Sequence, residues 1–240
     1  MRETSRIVRL KQSGADYATR TLFALTFLNG VLKCPTLYMT RSAPDCCWST
    51  RTTTSSRMAA SIFPMLRDIA ADVRLLDNLR AAVDAARKAD IQVVYVPHRR
   101  WQPGDYDNWD HPNPTQRLVQ QRHTFAAGTW GGEWHPDFVP QEGDIIVQEH
   151  WGQSGFANTN LDFQLKQQGI THVIVVGLLA NTCIESTGRF AMELGYHVTL
   201  VRDATAAFTR EMMRAVHELN GPTFAHEILT TAQLIAALPA

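Results

Sequence analysis

Residues Val173 to Val176 form an uninterrupted β-branched run closed by Gly177. Such a run offers no polar side to water, so it reads as a strand buried on both faces. A parallel sheet with helices on both sides is the setting that buries a strand in this way. Beyond the turn, Ile184, Gly188, Ala191 and Leu194 recur on one face of a helical wheel, which places Cys183 where strand hands over to helix. That position matters because thiolate is the reactive form of cysteine. A helix N-terminus carries partial positive charge that favours thiolate, and its free N–H groups can receive an oxyanion. The alternative for a lone cysteine is a small buried hydrophobe.

The text on either side of this stretch alternates strand and helix. Leu76, Leu79, Val83 and Ala86 make an apolar stripe that Asp72 can cap and that ends near Lys88, and Ile91 to Val96 is then a strand. Asp144 to Val147 is the next strand, and Leu161 and Leu165 begin a short helix that stops before Gly169. His197 to Val201 follows as a strand and Ala215, Val216 and Leu219 as a helix. Ile228 and Leu229 make a last short strand, and Thr231 caps a helix through Leu234, Ile235 and Leu238. Repeated βα alternation predicts an α/β fold, a three-layer αβα arrangement with a doubly wound, mostly parallel sheet and ligands at the carboxyl ends of its strands. Residues 97–142, rich in Pro, Gly, Trp and His without a clear period, read as a cover over that end.

The first quarter of the chain is chemically different. Formal charge is zero overall, which gives no electrostatic footprint for nucleic acid or an anionic membrane. Residues 1–57 nevertheless hold nine Lys/Arg against three Asp/Glu. The apolar run Leu22 to Leu32, broken by Thr26 and Asn29, is too short to span a bilayer, and no small-residue cleavage pattern follows it. Residues 46–57 have no usable period and read as a polar linker. Ordinary globular text begins at Met58, so the domain is expected over 58–240. Three of the four cysteines, Cys34, Cys46 and Cys47, fall in the odd quarter, and none has Cys-x-x-Cys spacing. A reducing, cytoplasmic setting is the expectation.

Several short motifs, in order, resemble the isochorismatase-like cysteine hydrolases. They are Gly128-Thr129-Trp130-Gly131-Gly132-Glu133, Gly143-Asp144-Ile145-Ile146-Val147 and Ser154-Gly155-Phe156-Ala157-Asn158-Thr159-Asn160-Leu161, then Gly177 to Cys183, Gly195-Tyr196 and Val201-Arg202-Asp203-Ala204. The resemblance runs from about Met58 to Leu238. It implies a six-stranded sheet and a nucleophilic Cys183 that attacks an amide or related C–N carbonyl. It further implies a cis peptide at Leu179-Ala180, an oxyanion hole from the Ala180 and Cys183 amides, and substrate contacts from His150, Trp151, Phe156 and Asn181. Such enzymes act on small molecules without a cofactor and assemble as homo-oligomers, dimers or tetramers.

Two partner groups implied by the resemblance are missing from their places. The lysine position falls on Glu149 or His150, and the lysines of the chain, Lys11, Lys33, Lys88 and Lys166, are all out of register. Glu149 is carried forward as a catalytic candidate, with a protonated His150 as a source of positive charge. The aspartate should end a first strand, yet between Leu32 and Met58 only Thr36-Leu37-Tyr38 is strand-like, so the sheet is expected to have its first strand missing or altered. The codons suggest why. Asp45-Cys46-Cys47-Trp48, read from the last base of each codon, must spell three leucines, and a TCG codon for Ser49 continues them with Val and Asp. Leu-Leu-Leu-Val-Asp is what the missing strand and its aspartate would look like, so the segment ending near Arg57 reads as a shifted frame.

Two rivals accompany the cysteine hydrolase: a non-catalytic oligomeric binding or scaffold protein on the same fold, and a hydrolase in which Glu149 acts on a non-amide substrate. Trp101, Trp109, Trp130, Trp134, Trp151 and Phe156 all precede the cysteine strand and can line a pocket for a planar substrate. His98, His111, His123 and His135 lack an Asp-x-His grouping, so no metal is expected. Gly128, Gly131 and Gly132 make no dinucleotide fingerprint.

Overall fold

The computed structural model describes residues 21–26 and 65–239. Its strands are β1 (Thr21–Thr26), β2 (Gln92–Tyr95), β3 (Ile145–Ile146), β4 (His172–Leu178), β5 (His197–Ala206) and β6 (Glu227–Leu229). They form one sheet in the order β3-β2-β1-β4-β5-β6, and every pairing is parallel. That order reverses direction between β1 and β4, and a doubly wound sheet binds its ligands outside the carboxyl ends of the strands at such a reversal.

The first described strand is Thr21–Thr26, and Thr36-Leu37-Tyr38 lies outside the described residues. Thr21–Thr26, from the segment set apart by composition, occupies the centre, with Phe23 in register with Val93 on one side and Ile174 on the other. The slot between β2 and β4 is bordered on both sides by apolar strands, and a short apolar segment is what can fill it. The remainder of residues 1–57, including the linker over 46–57, lies outside the described residues.

The β-branched run behaves as its composition dictates. Ile174, Val176 and Leu178 face one apolar core, and Val173 and Val175 face the other. The first core is roofed by helix α1 (Leu75–Lys88), which buries Leu75, Leu79, Val83 and Ala86 there. The second is roofed by α3 (Leu161–Gln167) and α4 (Glu185–Glu193), which contribute Leu161, Leu165 and Ala191. Between them, α2 (Pro114–Arg122) lies within the cover. After β5 come α5 (Arg210–Arg214) and a π-helical turn over Ala215–Asn220, and α6 (Thr231–Ala237) ends the fold.

Several element boundaries differ from expectation. Asp72 does not cap α1: it ends a helical stretch over 65–72 that buries Leu66 and Ile69, and its carboxylate pairs with Arg210. The α1 cap position is Arg74 in the left-handed region, with φ 51° and no side-chain cap. The last helix is capped by Thr230, through a reciprocal box with Gln233, because the Thr231 hydroxyl is engaged by Asp203 at 2.8 Å. Residues 97–142 are not structureless. Asn113 and Gln116 form a capping box with Pro114 at the first helical position, so α2 was legible as an Asn-Pro-x-Gln start.

Candidate active site

The β4–β5 register explains how the chain turns into the site. Val175 pairs with Leu200 but Gly177 pairs with Thr205, so β5 spends four residues, Val201 to Ala204, against the single Val176. That irregularity lets pairing continue to Leu178, opposite Ala206, before the chain reverses. The cis peptide accordingly lies at Leu178-Leu179, one bond earlier than expected. A five-residue π-helical turn, Ala180–Ile184, follows and leads directly into α4. The carbonyl of Leu179 closes it by accepting the amides of Thr182 at 3.2 Å and Ile184 at 3.1 Å.

Cys183 is the fourth residue of this turn, 4% exposed, and the Thr182 hydroxyl lies 3.8 Å from its sulfur. Burial pushes its thiol up from 9.0 to about 11, opposed by that hydroxyl and by hydrogen bonds from the backbone at Leu179 and Cys183. None of these influences is a charge. The favourable helix-end potential expected from the sequence is therefore outweighed: the sulfur sits within a buried turn one residue before α4, where desolvation of the thiolate dominates.

The segment after β3 supplies the other candidates. Glu149 is committed to neighbours: it accepts from Arg99 Nη1 at 3.3 Å, from the Arg100 amide at 3.2 Å and from Arg100 Nε. Arg99 is also held bidentately by Asp105, at 2.9 and 3.0 Å, and lies 4.5 Å over the Trp151 ring. Glu149 thus braces the cover through Arg99 and Arg100. Sequence reasoning missed Arg99 because one arginine in an aperiodic segment carries no signal of its partners.

His150 points the opposite way. It is wholly buried, edge-on to His98 with ring centroids 5.0 Å apart. Burial, and next to it the neighbouring His98, lower its pKa to about 3 against the opposing bond to the Gly152 carbonyl. His150 is therefore neutral near pH 7 and supplies no positive charge to Cys183. His98, likewise buried and with its pKa lowered by desolvation, was passed over in the sequence as one of several scattered histidines. It stands three residues after β2 and His150 four after β3, and only the adjacency of those two strands brings them together. Among the described residues, no group of three or more His, Cys, Asp or Glu side chains is arranged to hold a metal.

The aromatic residues separate. Trp151 and Trp109 lie 5.4 Å apart and both meet Tyr106 edge-on, at 5.6 and 4.9 Å, forming one cluster over the strand ends. Trp101 stacks on His123 at 3.7 Å, Trp134 meets Tyr95 in the first core, and Trp130 is exposed. Phe156 corrects its expected place in a substrate pocket. It is a core residue packed 5.7 Å from Tyr196, because the Gly155 amide is drawn to the Thr187 hydroxyl at 2.9 Å and turns the next side chain inward. That bond, with Ser186 Oγ to Gln153 Oε1 at 3.3 Å, ties the His150–Phe156 loop to the start of α4, a few residues past Cys183. Asn181 stands in the same turn as Cys183, with its Oδ1 buried.

Comparison with known proteins places the sequence and the fold. Residues 43–233 match the model of the isochorismatase domain. The ureidoacrylate amidohydrolase RutB of Agrobacterium fabrum is 34% identical over 150 residues, which cover 58% of this chain and 64% of that protein. The chain thus spans a little under two thirds of that relative. RutB of Caulobacter vibrioides is 30% identical over 176 residues, covering 69% and 77%. Among solved structures, a cysteine hydrolase from Pseudomonas syringae pv. phaseolicola superposes with TM-score 0.65 at 23% identity, covering 92% of this chain and 93% of that one. N-carbamoylsarcosine amidase from Thermoplasma acidophilum superposes with TM-score 0.56 at 20% identity, covering 88% and 96%. At those identities the structures establish the fold.

Proposed function

Because the chain belongs to the isochorismatase family, we propose that it is a hydrolase of small-molecule amides or related C–N bonds with Cys183 as its nucleophile. The observation that carries this is position: Cys183 stands in the first turn after β4, beside the β1/β4 reversal where a doubly wound sheet takes its ligand. The names of the RutB relatives and of the N-carbamoylsarcosine amidase, all amide-cleaving, support the reaction class. Sγ attacks the carbonyl carbon, and the Ala180 and Cys183 amides of the same turn receive the oxyanion. The C–N bond breaks as the leaving nitrogen takes a proton, and water releases the acid from the thioester and restores the thiol.

The resting site holds the thiol and not the thiolate, and the groups expected to activate it are not in their places. His150 is neutral, and the text after Thr26, Phe27-Leu28-Asn29-Gly30, contains no carboxylate. We infer that this chain turns over slowly or not at all, and that a shifted reading frame ending near Arg57 removed the aspartate. A substrate panel of small amides and carbamates tests both statements. A chain with the frame restored across codons 45–57 is expected to hydrolyse at least one member, with activity lost in Cys183→Ala. Retained activity in Cys183→Ala would transfer the chemistry elsewhere, and a nucleotide text whose shifted frame lacks the Asp would remove the frame-shift account.

Exposed Phe163 on α3 and Phe190 on α4, helices that cover the same core, support assembly as a homo-oligomer, which light scattering measures directly. Among the described residues no helix is long and apolar enough to cross a membrane. A cytoplasmic setting rests on the pattern of cysteine usage.

A further inference from the structure

Among the described residues, the buried side-chain nitrogen and oxygen atoms without a partner are Trp101 Nε1, Tyr106 Oη, His150 Nε2, Asn181 Oδ1 and His197 Nε2. His197 opens β5, at the amino end of the sheet. The other four stand on the segments that leave the carboxyl ends of β2, β3 and β4, where the fold takes its ligand. Leaving a buried polar atom unpaired is costly, and such atoms gathered at one end of a sheet mark the groups a ligand satisfies.

His150 is the best determined of them. Its Nδ1 lies 2.9 Å from the Gly152 carbonyl oxygen, which can only accept, so Nδ1 carries the hydrogen and Nε2 presents a lone pair. The ring is held in place by its own backbone, since the His150 amide donates to the Pro97 carbonyl at 3.0 Å and the Arg99 amide donates to the His150 carbonyl at 2.9 Å. Nδ1 of His98 faces the Arg99 carbonyl at 3.0 Å and carries its own hydrogen for the same reason. The loop from His150 is tied by Gly155 and Gln153 to the helix that follows Cys183, and Asn181 in the Cys183 turn adds a second unpaired acceptor.

We propose that His150 is a specificity-determining residue whose Nε2 accepts a hydrogen bond from an N–H of the substrate, at one of the two positions, with Glu149, where the family resemblance implies a cation. This rests on the reading of the Cys183 turn as the active site. A neutral, fixed acceptor selects a group that can donate and disfavours a carboxylate, whose oxygens would face the imidazole lone pair. Such an acceptor prefers carboxamides over the corresponding acids and over N,N-dialkyl amides.

The test uses the full chain with Cys183→Ser, which prevents turnover, and three planar probes: benzamide, N,N-dimethylbenzamide and benzoate. Benzamide is expected to bind at least about tenfold more tightly than either of the others, a factor equal to roughly 1.4 kcal/mol and within the range for one buried hydrogen bond. Histidine-selective 15N labelling is expected to show the His150 Nε2 resonance moving upfield on addition of benzamide alone. His150→Gln, which keeps an acceptor near the Nε2 position, should retain the preference within about threefold, whereas His150→Leu should abolish it. An unmoved Nε2 resonance, no preference for benzamide, or an unchanged preference in His150→Leu would each overturn the proposal. The resonance and the His150→Gln protein decide it even where His150→Leu does not fold. Preference for benzamide without any Cys183-dependent hydrolysis in the frame-restored chain would overturn the nucleophile and leave the acceptor standing.

Discussion

The state of the Cys183 sulfur yields a quantitative expectation. Burial raises its pKa from 9.0 to about 11, and among the described residues no charged group opposes that rise. Below pH 9 the thiolate is then about a hundredfold scarcer than in an ordinary cysteine, each tenfold step corresponding to about 1.4 kcal/mol. The more basic thiolate is intrinsically more nucleophilic and recovers roughly tenfold of that loss. Alkylation by iodoacetamide, followed by mass spectrometry of the Cys183 peptide at low conversion, should therefore run about tenfold slower than for N-acetylcysteine at pH 7.5. Its rate should keep rising about tenfold per pH unit to pH 10, where the reference has already levelled. The sign of the linked stability follows from the same rise. The unfolded thiol ionises first, so the contribution is fully present below pH 9 and is lost as pH climbs towards 11, at about 1.4 kcal/mol per pH unit. Circular dichroism at each pH separates reaction in the folded protein from labelling through unfolding. Labelling faster than the reference and flat above pH 7 would refute this account, because only a charge beside the sulfur produces that profile.

Other consequences are open to simpler measurements. Glu149→Gln weakens the Arg99 and Arg100 contacts of the cover, and in the frame-restored chain it should change kcat by less than about threefold while costing about 1 kcal/mol in urea melts; a loss of a hundredfold in kcat would return Glu149 to the chemistry. Gly155→Ala would bring a Cβ to 2.5 Å from Val96 Cγ1 and 3.3 Å from Thr187 Oγ1, so calorimetry should show destabilisation of about 1–3 kcal/mol, or roughly 2–12 °C in Tm, and an unchanged Tm would mean that the loop yields. Acid should also destabilise the fold. His150 and His197 titrate at about 3 and about 4, below their unfolded values, so the unfolded state binds more protons and stability falls as pH drops from about 6.5 towards 4. His150→Gln should flatten the fall in melting temperature between pH 7 and pH 5, and an unaltered slope would show that His150 contributes nothing to it.

What the sequence disclosed follows from where each signal resides. The Val173–Val176 run was legible because a strand buried on both faces needs apolar residues at every position, and its side chains do alternate between the two cores. The Cys183 turn was legible as a junction of two periodicities, but its chemistry was not, since the burial that raises its pKa depends on tertiary packing that no local spacing records. The cis bond lies one residue earlier than expected, where β4 continues to Leu178 past a register shift against β5 that has no local sequence signature. His98 and His150 meet only because β2 and β3 lie side by side, so no spacing rule could have joined them. The central strand shows most plainly where local reasoning ends. Thr21–Thr26 contains no β-branched pair and reads locally as part of a short apolar run, yet its pairing with both β2 and β4 makes it the middle of the sheet. Intrinsic preference is weak beside a slot bordered by two apolar strands, so the sheet can be completed by any short apolar segment that reaches it. A catalytic carboxylate has no such substitute: it must sit at one position with one chemistry. On the proposed reading of residues 45–57, the sheet keeps its architecture through a substitute strand while the position of the carboxylate goes unfilled, and restoring the frame tests that difference directly.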